Sequence, residues 1–113
     1  MVQWDYKNVH RNSFRLLTSV SWTEDISVEW DGAEGLCRIE ADFDYRYADV
    51  RIARIRGDEH RYLAADLGSK KEFRGEVELN KGDIVAIHWR AFNKRRAAHS
   101  ETAWLRVEEI EGH

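Results

Sequence analysis

The sequence contains no proline and a single cysteine, Cys37, and its positive and negative charges nearly cancel. One cysteine excludes a disulfide within the chain, so packing and hydrogen bonds have to hold the fold, and we expect a reducing compartment. The 18 Lys and Arg and the 21 Asp and Glu residues leave a net charge of −3. A non-specific nucleic-acid binder usually carries a clear positive excess, so nucleic acid is not the leading partner.

Long apolar runs are also missing. No stretch approaches the roughly 20 apolar residues that cross a bilayer, and the first residues lack the basic-then-apolar pattern of a secretory signal. We therefore expect no membrane partner, and we expect the chain to be made and folded in a cytoplasm.

The clearest pattern that is present lies between Leu36 and Tyr47, where apolar and charged residues alternate one by one. Period two over such a length is typical of a strand with one buried face. The set predicted to face inward is Cys37, Ile39, Ala41, Phe43, Tyr45 and Tyr47.

Seven further segments show the same period less clearly and are separated by turn residues: 14–22, 26–30, 50–55, 62–67, 73–79, 84–92 and 102–110. They predict an all-β fold, an antiparallel β-sandwich of about eight strands with little or no helix. Residues 80–83 (Asn-Lys-Gly-Asp) predict a tight connection that pairs Leu79 and Ile84 in neighbouring antiparallel strands.

Two stretches are irregular. After Ile52 the apolar set slips by one position, which predicts a β-bulge near Ala53 that turns Ile55 inward and Arg54 and Arg56 outward. Residues 1–12 show no period, so we predict an N-terminal arm there and a single sandwich domain over 13–113. Because the arm carries Trp4 and Tyr6, we expect it to dock on this or another subunit and assign both residues to partner binding.

The segment 75–87, GEVELNKGDIVAI, resembles the G-x-V-x-L-x-x-G-D-x-V-x-L motif of tumour-necrosis-factor-like jelly rolls, a superfamily that includes complement globular heads. Small phage structural proteins carry this motif too. The long alternating strand, the segment 50–58 that follows it and the closing strand 103–110 are similar in order to the same family. The resemblance implies a jelly roll that assembles as a homotrimer and, in phages, a role in the virion.

A homotrimer is also suggested by the aromatic content of four Phe, five Trp and four Tyr. The segments 84–92 and 102–110 carry large apolar groups at both odd and even positions, and an outward apolar face needs a neighbour. We therefore assign Ile87, Trp89 and Trp104 to the trimer interface. Trp30, Trp89 and Trp104 are the alternative candidates for a sugar-stacking platform.

The one concentrated positive segment is 93–100, between two predicted strands, where loops present binding groups. We assign partner binding to Lys94, Arg95, Arg96 and His99. The partner would be an acidic surface such as a capsid shell, an anionic glycan or nucleic acid, and the alternative is a solvated loop.

The sequence contains no motif typical of catalysis, zinc binding or phosphate binding. The five histidines show no zinc spacing, and no nucleophile elbow or phosphate-cradling loop occurs. Glu40, Asp42 and Asp44 alternate on one predicted strand face, which we interpret as solvated or salt-bridged, with a calcium site as the alternative. We predict that the chain is not an enzyme and has no catalytic residues, metal site or cofactor.

These observations favour a virion structural protein, in the first place a trimeric phage capsid decoration or head-spike protein located in the virion. A tail-fibre receptor-binding or carbohydrate-binding module is one alternative. A small nucleic-acid-binding protein that uses the basic loop is the other.

Overall fold

A computed structural model describes residues 6–67 and 70–110, and all regular structure within them is β. No helix in this part of the chain has the length and apolarity to span a membrane. The strands are β1 (Tyr6–Leu17), β2 (Thr23–Glu29), β3 (Gly35–Phe43), β4 (Ala48–Arg56), β5 (Glu59–Ala64), β6 (Glu72–Leu79), β7 (Ile84–Ala91) and β8 (Ala98–Glu109).

The strands form two four-stranded sheets that pack face to face. The first sheet has the order β1-β8-β3-β6 and the second has the order β2-β7-β4-β5, and every pairing is antiparallel. The chain crosses between the sheets at each connection except the β4–β5 hairpin, as in a jelly roll. The predicted eight-stranded antiparallel sandwich is confirmed.

The turn at residues 80–83 differs from its prediction because it joins strands of different sheets. Leu79 ends β6 in the first sheet, whereas Ile84 begins β7 in the second, so the two are not paired. The turn is held by Trp30, whose N–H donates to Asp83 O at 2.8 Å and whose carbonyl accepts from Gly82 N at 2.7 Å. Gly82 has a φ of 93°, which only glycine adopts readily.

The core lies between the sheets and includes the predicted inward set of β3. Cys37, Ile39, Ala41, Phe43 and Tyr45 are all buried, as the alternation predicts. Tyr47 departs from it and is exposed, because its φ of 61° turns the chain out of the extended conformation.

Two residues assigned to the trimer interface belong to this core instead. Ile87 and Trp89 pair across strands with Ile52 and Val50, and residues directly opposite each other in a sheet share a face. All four side chains are buried in the hydrophobic cluster between the sheets. The interface assignment of Ile87 and Trp89 is therefore wrong.

The directions in which the side chains of β4 point also differ from the prediction. A register shift between Ile52 and Ala53 is present, but only in the ladder with β5. The ladder with β7 runs without a shift, so Arg54 lies opposite the core residue Val85 and is itself buried, while Ile55 lies opposite Ile84 on the outer face. The predicted bulge is found, and the predicted directions of Arg54 and Ile55 are wrong, because the extra residue is absorbed at the β5 edge.

Arg56 is likewise not free in solvent, since it pairs with the buried carboxylate of Asp83 at 2.8 Å.

The predicted boundary between arm and domain is not found. Residues 6–12 form the first part of β1 and pair with β8 from Tyr6 opposite Glu108 to Asn12 opposite Thr102. They are therefore part of the sandwich. Trp4 lies outside the described residues.

A buried polar network joins the two sheets at one end. Arg11 of β1 donates to both carboxylate oxygens of Asp25 of β2, through Nε to Oδ1 and Nη2 to Oδ2 at 2.8 Å each. The Tyr45 hydroxyl donates to the same Asp25 carboxylate, whose side chain is 0% exposed. Arg11 Nη2 also donates to Ser100 Oγ of β8 at 2.7 Å. Three strands and Tyr45, two residues beyond β3, thus meet at one ion pair.

Cys37 is expected to resist thiol reagents in the folded protein. Burial, with a smaller contribution from the negative charge of Glu109, raises the pKa of its thiol to about 12, and only the thiolate is reactive. We expect labelling by a disulfide reagent to be at least ~100-fold slower than in urea-unfolded protein. Rapid native labelling would contradict the inward phase of β3.

The Arg11–Asp25 pair is expected to dominate the docking of the sheets. Asp25→Leu leaves Arg11 buried without its partner and should lower the free energy of unfolding by about 3–5 kcal/mol, measured by urea denaturation. Adding Arg11→Met should restore most of the loss, because the uncompensated charge is gone.

The matched control is the exposed pair of Lys7 and Asp31, which are 2.9 Å apart. Asp31→Ala should cost at most about 1 kcal/mol. Equal losses of unfolding free energy for Asp25→Leu and Asp31→Ala would show that the buried pair contributes no more to stability than an exposed pair.

Candidate functional site

One end of the sandwich carries a row of aromatic and basic side chains. The ring of Phe14, which is 61% exposed, lies 6.1 Å from the His99 ring, and His99 lies 5.9 Å from Tyr47 in an edge-on arrangement. The guanidinium carbon of Arg96 lies 3.5 Å from the centre of the Tyr47 ring. Arg46 is bound to His99 by two backbone hydrogen bonds of 2.9 and 3.1 Å. These five residues are called the loop-end cluster below.

Tyr47 occupies the centre of the loop-end cluster in an uncommon backbone conformation. Its φ of 61° lies in the left-handed region, which costs a residue with a Cβ about 1–2 kcal/mol. Strain of this kind is concentrated at functional sites. In this backbone conformation the Tyr47 side chain is 39% exposed and its ring contacts Arg96.

The basic loop is an ordered turn beside this cluster. The side-chain oxygen of Asn93 accepts hydrogen bonds from Arg95 N at 2.9 Å and Arg96 N at 3.2 Å, an arrangement by which asparagine stabilises turns. Lys94 and Arg95 project into solvent at its tip. The structure therefore brings Arg96 and His99 together, with Lys94 and Arg95 at the rim.

The cations at this end lack internal acidic partners. Most other arginines are paired, as with Arg90 and Asp49 at 3.1 Å or Arg74 and Asp42 at 3.0 Å. Within residues 6–67 and 70–110, no carboxylate lies within ion-pair distance of Arg46, Lys94, Arg95 or Arg96. Their charge is available to a partner.

A shallow cavity of about 140 Å³ opens next to the ring row. Its lining combines an aromatic platform, two basic groups and two carboxylates, contributed by Phe14, Asp44, Arg46, His99 and Glu101. Ligand sites commonly join apolar surface to a few placed polar groups in this way.

Asp44 is the most firmly positioned group of the cavity. Its Oδ1 accepts hydrogen bonds from Ser100 Oγ at 2.8 Å, Glu101 N at 3.0 Å and Thr102 N at 2.9 Å. Burial opposes ionisation, but the hydrogen bonds from Thr102, Ser100 and Glu101 outweigh it and lower the pKa of this carboxyl. Asp44 is therefore a fixed carboxylate at neutral pH.

Two other predicted site residues lie away from the cluster. Tyr6 begins β1, and eleven strand steps to Leu17 separate it from the loop end by roughly 35 Å. Trp104 lies between His10 and Asp42 on the outer face of the first sheet, where it is half-buried. Of the tryptophans considered for a sugar platform, Trp30 and Trp89 are buried in the core, so that platform is wrong.

A stack of arginines and aromatic rings on the outer face of the second sheet is not predicted from the sequence. The guanidinium of Arg51 lies 4.2 Å from the centres of both the Trp22 and the Tyr62 rings, and Arg90 lies 4.6 Å from Trp22. Arg51 Nε also donates to His88 Nδ1 at 3.3 Å. These residues come from distant segments, so only the sheet order, which a single sequence does not show, could have revealed the stack.

The acidic residues that were predicted to share one strand face are separated in the structure. Asp42 pairs with Arg74 on the outer face of the first sheet, whereas Asp44 turns toward the cavity. Within the described ranges no group of three or more His, Cys, Asp or Glu side chains could hold a metal ion.

A wider groove of about 640 Å³ runs between the edge strands β5 and β6. Leu63, Phe73 and Val77 contribute apolar lining, and Arg61, Arg74, Glu76 and Glu78 contribute charge. Charged side chains along sheet edges are a common protection against edge-to-edge pairing.

Comparisons with known proteins identify the fold. No protein-family model matches the sequence, and no curated protein matches it either. Solved structures do match, among them the crystal structure of murine APRIL at pH 8.5, with a TM-score of 0.62 and 11% sequence identity over 94% of this chain and 100% of that chain. An identity this low establishes shared fold alone. Because APRIL is a tumour-necrosis-factor-like jelly roll, the resemblance predicted from residues 75–87 is confirmed at the level of the fold: the chain has a jelly-roll fold like that of APRIL.

Proposed function

We propose that this chain is a binding and assembly module that contacts an acidic partner through its loop-end cluster. The observation that carries the proposal is the contact of Arg96 with the exposed Tyr47 ring. The exposed cations next to these two residues in the chain, Arg46, Lys94 and Arg95, have no ion-pair partner in the described residues. Exposed arginine and tyrosine side chains are the residue types enriched where proteins bind strongly.

The setting that we propose is a virion, with the chain as a capsid decoration or head-spike protein. The support is the resemblance of residues 75–87 to a motif that small phage structural proteins also carry. The acidic partner would then be a capsid shell for a decoration protein. For a tail-fibre or receptor-binding protein it would be a surface glycan.

The module would act as a homotrimer. The fold is compatible with one, and closed symmetry satisfies identical patches without fibre growth. Trp104 is the interface residue that remains, since it is half-buried in the centre of an otherwise charged sheet face.

The basic turn is expected to contribute to affinity and not to folding. Changing Lys94, Arg95 and Arg96 to Ala should leave the free energy of unfolding within about 0.5 kcal/mol of the parent, because these side chains are exposed. Binding to purified capsids, measured by co-sedimentation, should weaken, and the difference should be larger at low salt, where exposed charges act most strongly.

A matched control is Lys70→Ala, Lys71→Ala and Lys81→Ala, which removes the same charge from exposed sites on other loops. An equal loss of capsid binding in both triple variants would show a general charge effect and would count against the loop-end cluster. Unchanged capsid binding in the basic-turn variant would return the turn to a solvated loop.

The homotrimer is expected to be stable at micromolar concentration. Light scattering should give about three times the 13.3 kDa chain mass, and Trp104→Arg should reduce it by placing a charge in the interface. A monomeric parent would contradict the assembly proposal. A trimeric Trp104→Arg variant would place the interface elsewhere.

A further inference from the structure

We infer that the cavity beside the ring row binds a carboxylated sugar residue, such as the uronic acid unit of an anionic glycan. The inference rests on the proposed function only in taking the loop-end cluster as a binding site. It goes further by assigning a ligand class to Phe14, Asp44, Arg46, His99 and Glu101, which line the cavity together.

The cavity has the size and the platform for one sugar ring. Its volume of about 140 Å³ is below the roughly 300–1,000 Å³ of sites for drug-sized ligands, so it accepts a single ring-sized unit. Phe14 and His99 both line it, and their rings are tilted by 30° to each other. The apolar C–H face of a pyranose can pack on such a wall, while its hydroxyls stay at the opposite side.

The carboxylates supply the acceptors that sugar hydroxyls need. Three donors hold Asp44 Oδ1, whereas Oδ2 receives no hydrogen bond from the part of the chain that the structure describes. An ionised carboxylate only accepts hydrogen bonds, so this oxygen can accept one from a ligand hydroxyl. Glu101 adds a second, exposed carboxylate at the rim.

The basic groups supply the counterpart of the sugar's own carboxylate. Arg46 lines the cavity, and its backbone is fixed by the paired hydrogen bonds to His99. A guanidinium binds a carboxylate through two parallel hydrogen bonds, which adds orientation to the charge attraction. Arg96 is a further basic group of the loop-end cluster, and its guanidinium lies over the Tyr47 ring.

The mixture of charges decides between ligand classes. Nucleic acid, with a phosphate at every step and few donors, would bring negative charge against Asp44 and Glu101. A neutral sugar would satisfy the carboxylates and leave Arg46 without a partner. A ligand with several hydroxyls and one carboxylate satisfies both sets of groups in the cavity.

The test is a titration of the isotope-labelled protein with glucuronate, glucose and inorganic phosphate, followed by amide chemical shifts. We expect glucuronate to shift the amides of Arg46, His99, Glu101 and Thr102 in a saturable way. Glucose and phosphate should bind at least about tenfold more weakly, because each lacks one of the two recognised features.

Two variants separate the recognised features. Arg46→Met should abolish the preference for glucuronate over glucose. Asp44→Asn keeps an oxygen for its three internal donors but replaces the free acceptor by an NH₂ group, so it should weaken both sugars. The control is Arg61→Met, an exposed arginine on β5, which should change neither affinity.

The outcomes are distinct from those that test the proposed function. Equal shifts with glucuronate and glucose, a stronger response to phosphate, or a glucuronate preference that survives Arg46→Met would each overturn the inference. If glucuronate produces no shifts while capsid binding still depends on the basic turn, the sugar site is refuted and the proposed function stands. If the sugar titration succeeds while the capsid experiment fails, the partner is a glycan rather than a shell.

Discussion

At one end of the sandwich, an aspartate with no solvent exposure is held by an arginine from the other sheet. Asp25 belongs to the second sheet, and Arg11 to the first. Two charges buried so completely are tolerated only with their hydrogen-bonding capacity filled, and Tyr45 and Ser100 complete it. A sliding of one sheet over the other would break the bonds of Asp25 to both Arg11 and Tyr45. The pair therefore restricts the sandwich to one relative placement of its sheets, beyond what an apolar core alone specifies.

The candidate site depends on the same network. Ser100 accepts from Arg11 and donates to Asp44, so two hydrogen bonds through Ser100 link the cavity's fixed carboxylate to the buried pair. Tyr45 is held at Asp25, and two residues later the chain enters the left-handed conformation of Tyr47. The strained tyrosine and the oriented carboxylate are thus both connected to the buried ion pair. Preorganisation of this kind lowers the cost of ordering side chains when a ligand binds.

The features that the sequence predicts well are those that depend on local periodicity. The alternation in β3 correctly places Cys37 to Tyr45, because a half-buried strand repeats every two residues.

The prediction fails where pairing is non-local. Ile87 and Trp89 lie in a strand that looks apolar on both faces, and only its position between β2 and β4 shows which face is the core. The turn at 80–83 has hairpin composition, yet it crosses between sheets, since turn residues fix the local bend and not the partner strand. In the candidate site, the basic turn could be predicted from composition, whereas its proximity to Phe14 and Tyr47 could not.

The chain treats its arginines in two different ways, and the contrast bears on function. On the outer face of the second sheet Arg51 is enclosed between Trp22 and Tyr62, and Arg90 is bound to Asp49, so these guanidinium groups are already engaged. At the loop end Arg96 contacts only one ring, and Arg46 lines an open cavity. Both surfaces are built from the same residue types, but the first is saturated by its own contacts. The second retains hydrogen-bonding capacity, and because it is attached to the buried network, a ligand that fills it would also stabilise the docking of the sheets.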